Sequence, residues 1–370
     1  MIDLTRADAV LEAAIADGAF PGACYAVGTR KEVAFKALGR SMYCPESEPV
    51  RIDTIWDLAS VSKVFATTTA AMMLLDEGKL DLDRPVSDDI PAFGAHGKEK
   101  LTPRNLLVHD SGLAAFHGYQ LKYTKAEDAV AAIYAEPLTY PTGTKMVYSD
   151  LGIITLANLI AKLSETPFDA YVKARLFDPL GLKDTLYNPD PARRARCAPT
   201  ETVEPWRIEL RKLRGVDRRG AACPHPDAAT YIQGEVHDPN AMLLGGVAGH
   251  AGLFSTVGDL AKFLAMMLAE GQKWVKPETV ALFTRRQAEA SSRGLGWDTR
   301  SATGSSSGSK FSMRSFGHTG YTGTSIWCDP ERQVFVALLT NRVHPSSENL
   351  KISAVRPQFH DAVASAFDRA

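Results

Sequence analysis

Apolar residues follow two rhythms along this chain, and the change of rhythm divides it. Val10, Leu11 and Ile15 recur at helical spacing and predict a helix over Ala7–Ala16 that stops at Gly18. From Gly22 to Gly39 the pattern shortens, and Cys24, Tyr25, Val27, Val33, Phe35 and Leu38 predict two strands turning near Arg30-Lys31. Helical spacing returns most strongly over Trp56–Gly78, where Val61, Val64, Phe65, Thr68, Met72 and Leu75 share one face and Gly78 is a natural stop. Thr102-Pro103 reads as a capped helix start, and further helices are predicted over Ala126–Ala135, Leu151–Leu163, Pro167–Leu176 and Asp259–Ala269. Strands resume at Ser325–Cys328 and Val334–Thr340 across the turn Asp329-Pro330-Glu331, and Ile352–Asp368 predicts a closing helix.

Two stretches lack either rhythm. Arg193–Ala229, rich in Arg, Pro and Ala, reads as a surface connection, and Ser301–Lys310, rich in Ser and Gly, as a mobile loop or hairpin tip. Strands at both ends with helices between them predict an α+β fold: an antiparallel sheet built from both termini, with flanking helices and an inserted helical subdomain. The expected division of this one domain is a sheet part at about 1–60 and 240–370 and a helical part at about 61–239.

Composition narrows the possible functions. With 370 residues, 45% of them hydrophobic, the chain can bury a sizeable core, and a formal charge of -1 without long runs of one sign gives no reason to expect nucleic acid. No stretch is long and apolar enough to span a membrane, and Met1–Arg6 lacks the basic and apolar runs of a secretory signal. Cys24, Cys44, Cys197, Cys223 and Cys328 are odd in number, widely spaced and never in a Cys-x-x-Cys pair. That usage predicts reduced thiols and a cytoplasmic protein. Oligomeric state leaves no trace in the sequence.

The chemistry starts at Ser60-Val61-Ser62-Lys63. A serine hydroxyl needs a neighbouring base, and a residue three positions later on a helix shares its face. The spacing alone is weak, since Ser-x-x-Lys arises by chance on the order of once in a chain this long. Ser307-Gly308-Ser309-Lys310 repeats it within the Ser/Gly-rich stretch, where no apolar face positions it. Gly304–Gly308 likewise matches Gly-x-Ser-x-Gly but lacks the strand before and the helix after that a nucleophile elbow requires.

Ser60 differs in its company. Tyr148-Ser149-Asp150 follows just before a predicted helix, and His318-Thr319-Gly320 just before a predicted strand. In this order the motifs resemble those of the serine β-lactamase and penicillin-binding superfamily. Leu106–Leu113 and Gly249–Ser255 are similar to segments of the branch holding class C β-lactamases, D-alanyl-D-alanine carboxypeptidases and family VIII esterases. The resemblance runs from about Gly22 to Val343.

It implies a β-lactamase/transpeptidase-like fold and acyl transfer to water without a metal or organic cofactor. Ser60 would attack, Lys63 would accept or relay its proton, and Tyr148 would serve as partner base and then as acid for the leaving group. The backbone amides of Ser60 and Tyr321 would form the oxyanion hole, with Asp150, His318, Thr319 and Gly320 bordering the substrate. Two departures bear on the substrate. Class C enzymes have Asn where this chain has Asp150, which offers no amide N–H and could pair with Lys63 instead. They have Lys where it has His318.

A small ester, amide or D-peptide is therefore expected ahead of a β-lactam; a fold relative that has lost turnover is the reading from another class. His237, Asp238 and His250 lack the close spacing of a metal site and are expected to serve hydrogen bonding. His109 and His117 are expected to be structural, and Gly245, Gly246, Gly249 and Gly252 to serve close packing.

Overall fold

Six strands from the two ends of the chain form one antiparallel sheet, in the order Val33–Gly39, Gly22–Gly28, Val334–Thr340, Ser325–Asp329, Phe316–Thr319 and Asp298–Thr299. The computed structural model describes residues 2–215, 220–223 and 229–368. The central strand Val334–Thr340 is buried throughout, because helices cover both faces of the sheet. Val334, Val336 and Leu338 point toward the terminal helices Thr5–Ala16 and Ile352–Ala366, where they pack with Leu11, Tyr25 and Phe359. Phe335, Ala337 and Leu339 point the other way, into the main core with Phe65 and Phe263. The outermost strand, Val33–Gly39, leaves Val33 and Phe35 exposed.

The strongest predicted helix starts later than its pattern suggests. Trp56–Asp57 is a short strand paired with Phe254 and Ser255, and helical turns begin only at Val61. Ala59, with φ 45°, turns the chain between the two. Its left-handed backbone cannot belong to a right-handed helix. The turns over Lys63–Thr68 are wide, with i→i+5 bonding, before an ordinary helix runs over Thr69–Asp76. Phe65 on this segment stacks on Phe263 of the helix Val257–Leu268, with ring centroids 4.2 Å apart.

Both irregular stretches are better anchored than expected. The described part of Arg193–Ala229 includes the helix Pro205–Leu213, whose Leu210 joins a core cluster with Ile55 and Phe254. Arg207 on that helix is fully buried and donates to the carbonyls of Val236 at 2.9 Å and His237 at 2.7 Å. A buried arginine with carbonyl acceptors reads in sequence like a solvated one. Residues 216–219 and 224–228 of the stretch lie outside the described residues. Ser301–Lys310 forms turns tied to the last helix, where Asp361 accepts from the amides of Ser309 at 2.7 Å and Lys310 at 2.9 Å.

The cysteine expectation requires correction. Cys44 and Cys223 form a disulfide across a sequence separation of 179, whereas Cys24, Cys197 and Cys328 are free and buried. Spacing cannot reveal a pair that only the fold brings together, and the argument for a reducing compartment falls with it. Among the described residues no helix is long and apolar enough to cross a membrane. Unfolded without reductant, the protein should titrate three thiols with a chromogenic thiol reagent, and five after reduction. Five at the outset would contradict the pairing.

Candidate active site

Ser60 is placed by a buried carboxylate beneath it. Asp57 accepts from the Ala59 amide at 2.8 Å through one oxygen and from the His237 amide at 2.6 Å through the other. Burial pushes its carboxyl above the usual range. The Ala59 turn then brings Ser60 to the wall of a cleft of about 350 Å³. Strained backbone of this kind persists where its surroundings over-determine it.

One turn later Lys63, with its side chain 1% exposed, extends back beneath Ser60. Its Nζ lies 2.8 Å from Ser60 Oγ, 2.7 Å from Asp150 Oδ1 and 3.0 Å from the His250 carbonyl. An ammonium has three N–H groups, and here each has an acceptor. Burial by itself lowers the lysine pKa, but the charge of Asp150 and the Tyr148 hydroxyl outweigh it, and the net direction is upward. Three oxygens around Nζ suit the ammonium form of Lys63. The Asp150 pairing follows the sequence reading.

Tyr148 is gripped from behind by His109. His109 closes the helix Pro103–Val108 in the left-handed conformation, φ 61°. Its carbonyl accepts from the Val147 amide at 2.8 Å, and its Nδ1 from the Ser149 amide at 3.1 Å. The two rings lie 4.6 Å apart. Burial, with Arg293 and Lys63 nearby, lowers the His109 pKa well below that of an ordinary histidine, so the ring is neutral and Nδ1 is free to accept. Ser149 caps the helix Asp150–Ser164 and places Asp150 in its first turn. The Tyr148 hydroxyl faces Lys63, whose Nζ is 4.9 Å from the ring centroid. Arg293 lies 5.1 Å away from the same centroid.

The opposite wall is the strand Phe316–Thr319, so His318 and Thr319 lie within a strand rather than before one. His318 Nδ1 is 2.7 Å from the Thr319 carbonyl and Nε2 is 3.4 Å from Arg293 Nη1. This network puts the proton on Nδ1 and leaves Nε2 as an acceptor. Burial, then the charges of Arg293 and Lys63, drive the His318 pKa well down. It is a neutral hydrogen-bonding group, and the positive charge here belongs to Arg293.

The turn after Thr319 docks onto the Ser60 elbow. Thr322 Oγ1 donates to the Asp57 carbonyl at 2.7 Å and Thr324 Oγ1 to the Leu58 carbonyl at 2.9 Å. Gly320 is required by this approach, since a Cβ there would fall 2.4 Å from the Leu58 carbonyl oxygen. Arg356 Nη2 clamps the turn through the carbonyls of Gly320 at 2.7 Å and Thr324 at 2.8 Å. Ser60 and Tyr321 thereby face one cleft, and among the described residues neither of their amides donates to a protein acceptor.

Ser60, Tyr148, His318, Thr319, Gly320 and Tyr321 therefore line the cleft, with Lys63 and Asp150 beneath. A hydroxyl, a phenol beside a cation, and two free amides are together suited to acyl transfer. The lookalike Lys310 is directed to Ser365 Oγ, 2.6 Å away. His237 pairs with Glu201 and His250 with Asp238, each at 2.8 Å, in keeping with the hydrogen-bonding expectation. Sequence reasoning missed Asp57 and the arginines Arg293, Arg342 and Arg356, which line the cleft without a motif spacing to mark them.

A family model described as Beta-lactamase matches residues 7–357. The chain is 36% identical to an N-acetylmuramyl-L-alanine amidase of Bacillus subtilis, covering 92% of this chain and 81% of that one. It is 33% identical to a Salmonella typhi protein provisionally named a D-alanyl-D-alanine carboxypeptidase, over 83% and 74% of the two chains. Among solved structures it is similar to the hydrolase EstCE1, with 21% identity, TM-score 0.74, and 97% and 98% coverage. It is also similar to simvastatin synthase from Aspergillus terreus, with 17% identity, TM-score 0.76, and full coverage of both.

His109, His318, His344 and His360 all have depressed pKa values because they are buried, the last two at about 4. Their folded values lie below the unfolded value of about 6.5, so the unfolded chain binds more protons beneath that pH. Their contribution to stability is complete above about 6.5 and is lost as pH falls. Chemical denaturation between pH 7 and 4.5 should show stability dropping with proton uptake on unfolding; a flat profile would contradict the burial of these rings.

Proposed function

The chain belongs to the Beta-lactamase family, whose relatives here make it a serine hydrolase, and from that premise we propose that it cleaves D-amino-acid amides bearing a free carboxylate. The observation that carries this reading is the cleft wall. Among the described residues Arg293, Arg342 and Arg356 line it together with Ser60, and no acidic side chain does. Burial above all, and after it the repulsion of the neighbouring Arg342, pushes the Arg356 pKa down to about 10. An anionic group on the substrate would relieve that repulsion. The names of the amidase and carboxypeptidase relatives support an amide or peptide substrate.

The steps follow from the positions. Tyr148, in its phenolate form, takes the proton of Ser60 Oγ while the oxygen attacks the carbonyl carbon. Lys63 remains an ammonium throughout, holding the serine oxygen as it attacks. The amides of Ser60 and Tyr321 hold the oxyanion. As the C–N bond breaks, Tyr148 returns the proton to the leaving amine. Water then repeats the sequence on the acyl-enzyme and frees the acid. Asp150 is engaged by Lys63 and has no N–H to offer a β-lactam side chain, so penicillins and cephalosporins are expected to turn over poorly.

Two measurements test this. Ser60→Ala should lose turnover by roughly four orders of magnitude and all labelling by a fluorophosphonate, read by intact mass. Labelling that survives the substitution rejects Ser60 as nucleophile, and labelling and turnover both absent from the native protein favour a fold relative without turnover. An acyl-D-alanyl-D-alanine should be cleaved about 10- to 100-fold more efficiently than its C-terminal amide, with Arg293→Gln reducing the difference. Equal rates for the two would favour a neutral ester as substrate.

A further inference from the structure

Outside the reacting groups, the partly buried Asp238 and the buried His250 have no place in the steps above. Asp238 Oδ1 lies 2.8 Å from His250 Nε2, and His250 is 1% exposed. The same Asp238 oxygen accepts from the Ala241 amide at 2.7 Å. Carboxylate oxygens of Asp150 and Asp238 and a nitrogen of His250 all lie within 4.8 Å of one another. Two carboxylates so close repel unless a cation stands among them. The ammonium of Lys63 contacts Asp150 directly, while against the effect of burial His250 chiefly, then the Ala241 amide and the Lys63 charge, hold the Asp238 carboxyl well below the ordinary range. His250 is also the residue whose carbonyl is the third acceptor of that ammonium.

We infer that Asp238 and His250 act together as a positioning pair for Lys63. Asp238 fixes the His250 side chain, which aims the His250 carbonyl at Nζ, and its own charge adds to the field that keeps the lysine protonated. Neighbouring bonds fix the same segment: the Gly249 carbonyl accepts from Thr67 Oγ1 at 2.7 Å, and the Leu253 amide donates to Ser62 Oγ at 3.2 Å. Both partners lie on the helical segment that carries Lys63. The lysine is thus held on its own helix and on the segment opposite it. This inference rests on the reading of Ser60 and Lys63 as reacting groups.

The charged and titratable groups facing Lys63 are Tyr148 and Asp150 from one side, Asp238 and His250 from another, and His109, His318 and Arg293 across the site. Removing the Asp238 charge weakens the hold on the Lys63 proton, so the alkaline limb of the pH profile moves toward acid.

The test measures Ser60 acylation by a neutral p-nitrophenyl ester across the pH range in the full chain. Asp238→Asn, which keeps an acceptor for Ala241 and His250, should move the profile about one pH unit toward acid, lowering kcat at alkaline pH while KM stays within about twofold. His250→Leu should slow acylation about tenfold or more, and His250→Gln, which keeps an N–H toward Asp238, should recover most of that loss. A folded Asp238→Asn with the native profile, or His250→Leu with the native rate, overturns the proposal. Should Asp238→Asn fail to fold, Asp238→Ser retains a capping oxygen and removes the charge. Failure of both to fold rejects a positioning role in favour of a purely structural one. Loss of acylation in the native protein would instead defeat the reading of Ser60 itself.

Discussion

A full positive charge buried under a serine constrains this molecule more than any other single feature. Removing an ammonium from water is so costly that it persists only if every N–H finds an acceptor and a negative charge lies nearby. Lys63 meets both conditions with oxygens from Ser60, Asp150 and His250, which come from widely separated parts of the chain. No local structure could collect them. The helix after the Ala59 turn, the capped helix starting at Asp150 and the glycine-rich segment around Gly249 must all be in place before the charge can be held. Correct folding and a competent site are therefore nearly the same condition.

The sheet provides the fixed frame. Its Phe316–Thr319 strand continues into a turn held by Thr322 and Thr324 on one side and Arg356 on the other. These bonds set the Tyr321 amide relative to Ser60 without using either group's own donors. Asp57 connects the same elbow to His237, next to Asp238. One carboxylate thus links the elbow to the segment that supplies the third acceptor of Lys63.

Much of this was legible in the sequence, for identifiable reasons. The helices Ala126–Ala135 and Asp150–Ser164 and the strands at both termini carry strong apolar rhythms, and the structure places them where those rhythms suggest. The site motifs were readable because helical spacing joins Ser60 to Lys63 and chain order joins them to Tyr148 and His318. Other features left no local signal. Arg207 and Arg293 look like any surface arginine until their acceptors and neighbours are known. The late helix start depends on one left-handed residue, Ala59, of a type that rarely adopts that conformation. His109 looked structural, and it is, yet its structural task is to hold the backbone on both sides of Tyr148.

The Cys44–Cys223 link has a topological consequence for the same site. The covalent ring it closes contains Ser60, Lys63, His109, Tyr148 and Asp150, while Asp238, His250, Arg293 and His318 lie beyond it. A protease that breaks one peptide bond inside the ring leaves a single covalent molecule, with parts of the site on each piece. Those parts stay tethered at high effective concentration. Whether a nicked chain still holds Lys63 in place then depends on its packing and hydrogen bonds rather than on an unbroken backbone.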